Sequence, residues 1–372
     1  MTGPRRRRRS PAGDRPLRVA MIPLLPGDNA ATRTFCHEPL EHLAGSGITG
    51  RVFPPSSDRL YRLLNRPDSR ARVPLSTLYW YGLVLPRRVA QVAAAARFDV
   101  VFIQRGMLRA ASAPVLEALV WLVAGRLAGR RILYHCDDAL HTVANPRWYR
   151  ARCRMADWVI TGSDEVAAFA RAANPRVWRF SAPIDVGRYP VRRHQGRART
   201  IGWVGTLPED SLPLVTGALA TVCRRHDVQV KVVSGRPFQA PELDGRLAWE
   251  QWSPARRYAV FGDLDIGIMP LADEPYQRGK EGFKLKEYMA AGLPVVCSPV
   301  GFNRQLVEDG VVGFFARSEP EWVRQLERLV GDPELRRRLG QAGRRLAETS
   351  FDHHQHLLRL GKFLRAPERE GT

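Results

Sequence analysis

Along the chain, apolar runs of four or five residues alternate with loops and with stretches whose apolar positions recur at helical spacing. The first run, Arg18-Val-Ala-Met-Ile-Pro23, opens into a loop over residues 26–33. A helix-like stretch over 35–44 follows and stops at Gly45. The unit then repeats. Residues 99–103 read as a buried strand with the loop Gln104-Arg105-Gly106, and 115–127 as a helix. Residues 131–134 read as the next strand, leading into His135-Cys-Asp-Asp138, and 158–160 as another, followed by a helix over 165–172. Residues 177–180 close the series. Short apolar runs, each followed by a loop and an amphipathic stretch, predict parallel strands joined by crossover helices, an α/β architecture.

Between residues 190 and 199 the pattern is interrupted by a basic, polar segment, which predicts a linker over 191–199 between two units. The alternation restarts at Thr200-Ile-Gly-Trp-Val204 with the loop Gly205-Thr206. Strands are predicted at 228–233, 264–270 and 293–297, with a short one at 311–315. One amphipathic helix is predicted over 320–339 and another over 352–364. The expected organisation is a tail over 1–16, a first domain over 17–190, a second over 200–350, and a closing segment over 351–372 whose last residues fray.

Charge changes the picture more than composition does. The 372 residues include 58 Lys and Arg against 37 Asp and Glu, a formal net charge of +21. Such a surface favours anionic partners: nucleic acid, anionic lipid headgroups or phosphorylated substrates. No stretch interleaves aromatic and basic residues as single-stranded nucleic-acid binding requires, so nucleic acid is not an expected partner. The basic run Arg5–Arg9 has no apolar stretch behind it and reads as a disordered tail, not a secretory signal. The same tail suits an anionic membrane surface. The longest apolar stretch, 115–128, contains Glu117 and Arg126 and falls short of the ~20 residues a membrane span needs. Five widely spaced cysteines without a C-x-x-C pair predict a reducing compartment, with neither a disulfide framework nor a zinc site. The expected location is cytoplasmic, either free or peripheral on the inner face of the cytoplasmic membrane.

Candidate chemistry concentrates at Gly279-Lys280-Glu281-Gly282-Phe283-Lys284-Leu285-Lys286-Glu287 and the residues up to Pro294. Lys280 and Lys284 are four apart and share a face if a helix begins here. Positive charge at a helix start, with its free N–H groups, suits a phosphate. Glu287 lies three residues beyond Lys284, and its carboxylate can accept both hydroxyls of a ribose. Two strand-to-loop junctions, 26–33 and 205–210, would face each other across a cleft at the carboxyl ends of the strands. Asp137 and Asp138 read either as partners of a sugar or acceptor or as a helix N-cap pair. Arg105 reads as a cleft residue or as a salt-bridge partner. His135, His141, His353, His354 and His356 show no orienting partner and read as packing or surface residues.

The stretch from Gly279 to Gly301, with Leu306-Val-Glu-Asp-Gly310 and Gly313-Phe314, resembles the donor-binding region of group 1 (family 4-type) glycosyltransferases of the GT-B fold. Ile201-Gly-Trp-Val-Gly-Thr206, Asp265-Ile-Gly-Ile-Met-Pro-Leu271, Asp137-Asp138-Ala139 and Pro183-Ile-Asp185 fit the same family in the same order, so the resemblance covers residues 17–365. It implies two Rossmann-like domains with parallel sheets facing a central cleft, a nucleotide sugar in that cleft, and a C-terminal helix crossing back to the first domain. It implies diphosphate contacts at Lys280 and Lys284, ribose contact at Glu287, and a glycine loop at Gly205 and Thr206. Thr32 and Arg33 fall in the first-domain loop that closes on donor or acceptor.

One departure stands out. Counting back from Glu287, the first glutamate of the family's E-x7-E pattern falls on Gly279, whereas the Glu281-Gly282-Phe283 string places it two residues too close. The reaction implied is glycosyl transfer with retention of anomeric configuration. Lys280, Lys284 and Asp138 are the catalytic candidates. Glu287, Gly205, Thr206, Glu281, Gly282, Phe283, Arg33, Thr32, Asp137 and Arg105 are the binding candidates. No metal or other cofactor is expected, since the nucleotide sugar is a substrate. The acceptor is expected to be a glycan, a lipid-linked molecule or a small molecule, in glycan or cell-envelope synthesis. The alternatives are a GT-B sugar-nucleotide epimerase and a non-enzymatic basic protein binding anionic membrane or nucleic acid.

Overall fold

The computed structural model describes residues 15–27, 29–64, 72–109 and 112–366. Most of the expected tails, residues 1–14 and 367–372, lie outside the described residues, as does Asp28 in the loop 26–33. Two six-stranded sheets organise the chain, and every strand pairing in them is parallel. The first has the order β2-β1-β3-β4-β5-β6, built from β1 (Leu17–Pro23), β2 (Ile48–Val52), β3 (Val100–Gln104), β4 (Arg131–Cys136), β5 (Trp158–Thr161) and β6 (Val177–Arg179). The second has the order β12-β11-β10-β7-β8-β9. Its strands are β7 (Thr200–Val204), β8 (Gln229–Ser234), β9 (Leu247–Gln251), β10 (Ile266–Met269), β11 (Val295–Cys297) and β12 (Gly313–Phe315).

The central strands are the apolar runs of the sequence, because a parallel strand with helices on both faces is buried on both and reads as a near-continuous apolar run. All five residues of β3 and of β7 are buried. The two strands that the pattern did not predict, β2 and β9, are both at sheet edges. Ile-Thr-Gly-Arg-Val and Leu-Ala-Trp-Glu-Gln are largely exposed or half-buried, so no apolar run marks them.

The single helix predicted over 320–339 is two helices, Glu319–Gly331 and Pro333–Ser350. Pro333 cannot continue a hydrogen-bonded helix, and Asp332 caps the second one by accepting from Leu335 N at 2.8 Å. Helix His353–Arg365 returns to the first sheet, where Leu357, Leu360, Phe363 and Leu364 pack with Val19, Val100 and Trp178. Its start is fixed by Asp352, whose side chain accepts from His354 N.

Candidate functional site

The helix Phe283–Ala290 follows Gly282, whose backbone is left-handed at φ +62°. A Cβ on Gly282 would also lie 2.3 Å from Leu306, so glycine is required there on both counts. The helix therefore starts later than the lysine spacing supposed. Lys284 sits in its first turn, while Lys280 precedes it on the connecting loop.

Lys284 lies directly over the glycine loop of the second sheet. Its Nζ is 4.2 Å from the ring centre of Trp203, and a Cβ on Gly205 would fall 2.4 Å from its Cε. Burial, reinforced by the charge of Lys280, pushes the Lys284 ammonium down to about 7. An anion delivered here would restore the proton. Thr206, the next residue after Gly205, is exposed. One turn along the helix, Glu287 accepts a hydrogen bond from Tyr189 Oη at 3.0 Å. Burial pushes its carboxyl up to about 7 against the opposing pull of Tyr189, Arg257, Lys284 and Arg33.

The first domain meets this wall through Arg33 and Glu38. Glu38 Oε1 pairs with Arg257 Nη1 at 3.0 Å and lies 3.8 Å from Arg33 Nε, and the Arg33 guanidinium is 5.8 Å from the ring centre of Trp252. A cleft of about 740 Å³ opens alongside, lined among others by Gly27, Arg33, Glu38, Asp58, Arg257 and Tyr258. Thr32 does not face it: Thr32 is fully buried and its hydroxyl donates to Leu25 O at 3.0 Å, which holds the loop in place.

At the carboxyl ends of β3 and β4, Arg105 clamps the two aspartates. Its Nε and Nη2 donate to Asp137 at 2.6 and 2.7 Å, and Nη2 also donates to Asp138 Oδ2 at 2.6 Å. Arg105 holds φ +64°, an uncommon conformation for a side chain of this size. Burial opposes ionisation of Asp137, but Arg105 outweighs it and holds the carboxyl below its usual range. Asp138 is pushed above its usual range by burial and by Asp137, with Arg105 and Lys280 pulling the other way. The N-cap reading of these aspartates does not hold. The short turn Leu140–Thr142 is preceded by Ala139, and no side chain caps it. Of the two roles weighed for Arg105, the salt-bridge role is the one these contacts show.

Glu281 points elsewhere. Its Oε2 accepts from Ala182 N at 2.7 Å and Ser181 Oγ at 3.4 Å, on the segment leaving the first domain. Lys286 grips the same segment, donating to Ser181 Oγ and to Ala182 O at 2.9 Å. Burial drives both groups toward neutrality, each partly offset by the other's charge. Gly162 leaves room for Glu281, since a Cβ there would lie 1.7 Å from Oε1, and Ser163 Oγ donates to Gly279 O at 2.9 Å. Phe283 packs against cores of both domains. The loop 279–282 and the start of the helix are thus wedged between the two sheets' cores.

The structure brings together Gly205, Thr206, Lys284 and Glu287, and separately Arg105, Asp137, Asp138 and Lys280. Tyr189, Arg257, Trp252 and Tyr276, whose ring centre is 5.5 Å from Lys280 Nζ, complete the walls and were not read from the sequence. Tyr189 sits where the first unit ends, and none of the four lies in a segment that carries the family resemblance. His135 is fully buried against Phe35 and Phe102, where burial takes its ring down to about 4, and His141 stacks on Phe169 at 3.8 Å. Both are packing residues. Among the described residues, no group of three or more His, Cys, Asp or Glu is arranged to hold a metal ion.

Comparison with known proteins matches residues 198–332 to the family "Glycosyl transferases group 1". Over 68 residues the chain is 35% identical to spore coat protein SA of Bacillus subtilis, a stretch that spans 18% of this chain and 18% of that protein. Solved structures share the fold over nearly the whole chain. HepE of Anabaena in complex with UDP-glucose superposes with TM-score 0.67 at 16% identity, covering 94% of this chain and 100% of that one. Sucrose-phosphate synthase of Thermosynechococcus elongatus gives 0.68 at 16%, covering 94% and 98%. A glycosyltransferase of Rickettsia africae gives 0.68 at 13%, covering 96% and 100%. Residues 198–332 thus match the group 1 glycosyltransferase family, and the chain as a whole shares the two-sheet GT-B fold of these structures.

Proposed function

We propose that this protein transfers a sugar from a nucleoside diphosphate donor to a hydroxyl acceptor held in the cleft between the two sheets. The observation that supports this best is Lys284, seated on Gly205 in the first turn of a helix with Glu287 one turn on. A diphosphate beside Lys284 would lie against a cation and free helix N–H groups, and Glu287 would accept from ribose hydroxyls. UDP and UDP-glucose are bound by HepE, which shares the fold, so a UDP-sugar is the first donor to test.

In this reading the acceptor hydroxyl forms a bond to the anomeric carbon as the bond to the diphosphate oxygen breaks. Charge grows on the leaving phosphate, and Lys284 and Lys280 stabilise it most where it is largest. Asp138, elevated and facing Lys280, orients the sugar or acceptor from the first domain. Configuration is retained, the leaving phosphate takes the acceptor proton, and the reaction requires no metal. The acceptor we propose is a glycan or lipid-linked molecule of the cell envelope, a role in keeping with the partial match to a spore coat protein. The test is release of free nucleoside diphosphate from a panel of donor sugars by purified protein. Turnover of one donor, lost with binding in Lys284→Ala, supports the reading. Failure to bind or turn over any donor overturns it, as does an unchanged affinity in Lys284→Ala.

A further inference from the structure

We infer that the outer face of two adjacent helical segments in the first domain docks on an anionic phospholipid bilayer. The segments are 72–95, formed by Arg72–Thr77, Leu78–Val84 and Leu85–Ala95, and 115–127, formed by Val115–Val120 and Trp121–Leu127. Both lie on the same side of the first sheet. They bury Tyr79, Trp80, Val84 and Val92, and Leu116, Val120 and Ala124, in one core, and so turn their opposite faces to solvent together.

That solvent face is apolar where a water-facing helix is ordinarily polar. Leu78 is 56% exposed, Leu122 46% and Leu127 76%, with Tyr81, Val89 and Trp121 also outward. Scattered apolar residues need no explanation, but a run of them on neighbouring helices does. Charge identifies the partner. Between residues 72 and 136 the sequence has two carboxylates, Asp99 and Glu117. Glu117 is buried against Arg152 at 2.8 Å, and Asp99 is engaged by Arg18 and Arg130. The face therefore presents no free carboxylate. It presents Arg87 and Arg126, both exposed, the latter 5.2 Å from the ring centre of Trp121. Apolar side chains flanked by arginines, with aromatic rings between them, match the boundary between acyl chains and anionic headgroups. No described helix is long and apolar enough to cross a membrane, so the contact is with the surface.

Position gives the contact a use. The crossover helix before β3 runs antiparallel to the strands, so the end near Leu78 lies toward their carboxyl edge, where the cleft opens. A lipid-borne acceptor would meet the cleft there.

The test is co-sedimentation of the full chain with phosphatidylcholine vesicles with and without phosphatidylglycerol. Binding only to the anionic vesicles, weakening as salt rises, is expected. Leu78→Ser/Leu122→Ser/Leu127→Ser should bind roughly ten- to a hundredfold more weakly, and Arg87→Gln/Arg126→Gln should flatten the salt dependence. Circular dichroism and UDP binding of the variants establish that they are folded. A separate variant with Arg5 to Arg9 replaced by glutamine keeps the face and removes the basic run. The inference fails if that variant loses all binding while the triple-serine variant keeps it. It also fails if the wild-type chain ignores anionic vesicles, or if the same three substitutions instead dissolve a homodimer seen by sedimentation.

Discussion

Replacing Gly205 by alanine tests whether the glycine loop exists to admit Lys284. The added Cβ would lie 2.4 Å from Lys284 Cε, 2.7 Å from its Nζ and 2.6 Å from Trp203 Cη2. The lysine tip is the end of a flexible chain and can swing away. Trp203 is 1% exposed and held in the second core, so it yields little. Two separable effects follow. Overpacking against Trp203 costs about 1–3 kcal/mol of stability, which lowers Tm by several degrees. Displacing the ammonium removes one charge-assisted contact with the donor diphosphate, about 1.5–3 kcal/mol, or roughly ten- to a hundredfold in Kd. Calorimetric titration of UDP into Gly205→Ala, Lys284→Ala and the double variant measures this directly. If Gly205→Ala acts through Lys284, the double variant binds no worse than Lys284→Ala alone, because the contact can be lost only once. Additive penalties, or a Gly205→Ala protein that binds as the wild type does, would refute the assignment of Lys284 to the phosphates.

The remaining predictions concern charge. Since Lys284 is pushed down to about 7, its cation is present below that pH and lost above it, so UDP affinity should fall as pH rises through about 7 and the slope should vanish in Lys284→Ala. Glu287 is raised to about 7 from an unfolded value near 4.5, so the folded protein holds a proton that the unfolded chain has released between those values. Stability should therefore fall with rising pH across that window, and Glu287→Gln, followed by thermal unfolding, should remove that part of the fall. Arg105→Met leaves two adjacent carboxylates without their cation, and breaking such a buried pair should cost about 3–5 kcal/mol in urea unfolding. Asp138→Asn in the same assay should cost far less, while lowering kcat with donor affinity nearly intact. Glu281→Gln should lower Tm and leave the Kd for UDP within about twofold, the variation expected of a residue remote from the ligand.

How much of this was written in the sequence depends on burial. Central strands such as β3 and β7 are buried at every position and apolar at nearly all of them, and they announce themselves. Edge strands β2 and β9 are half-solvated and do not. The helix 72–95 was also missed. Its π-helical stretch Leu78–Val84 changes the residue count per turn and blurs the period that a straight helix would show. Of the site, Gly205, Lys284 and Glu287 were legible because glycine, cation and acid each have a chemical reason to stand at that spacing. Tyr189, Arg257 and Trp252 were not. They reach the site from other segments, and only the folded chain brings Tyr189 Oη within 3.0 Å of Glu287.

The irregular spacing before Glu287 acquires a physical meaning from the loop it creates. With five residues between Glu281 and Glu287, and a left-handed Gly282 just before the helix, Glu281 is turned away from Lys284 and onto the Ala182 amide. There it and Lys286 hold the segment that joins the two domains, and Gly162 is kept bare to receive it. An acid in that position serves the geometry of the cleft. The carboxylate whose charge the Lys280 ammonium does feel is Asp138, supplied by the first domain and held by Arg105. The task of reading a donor sugar or acceptor would then pass from the donor domain's own loop to the opposite wall. On that reading, recognition depends on the two domains coming together, and substitutions at Glu281 or Lys286 should alter turnover through domain closure while leaving nucleotide affinity close to that of the wild-type chain.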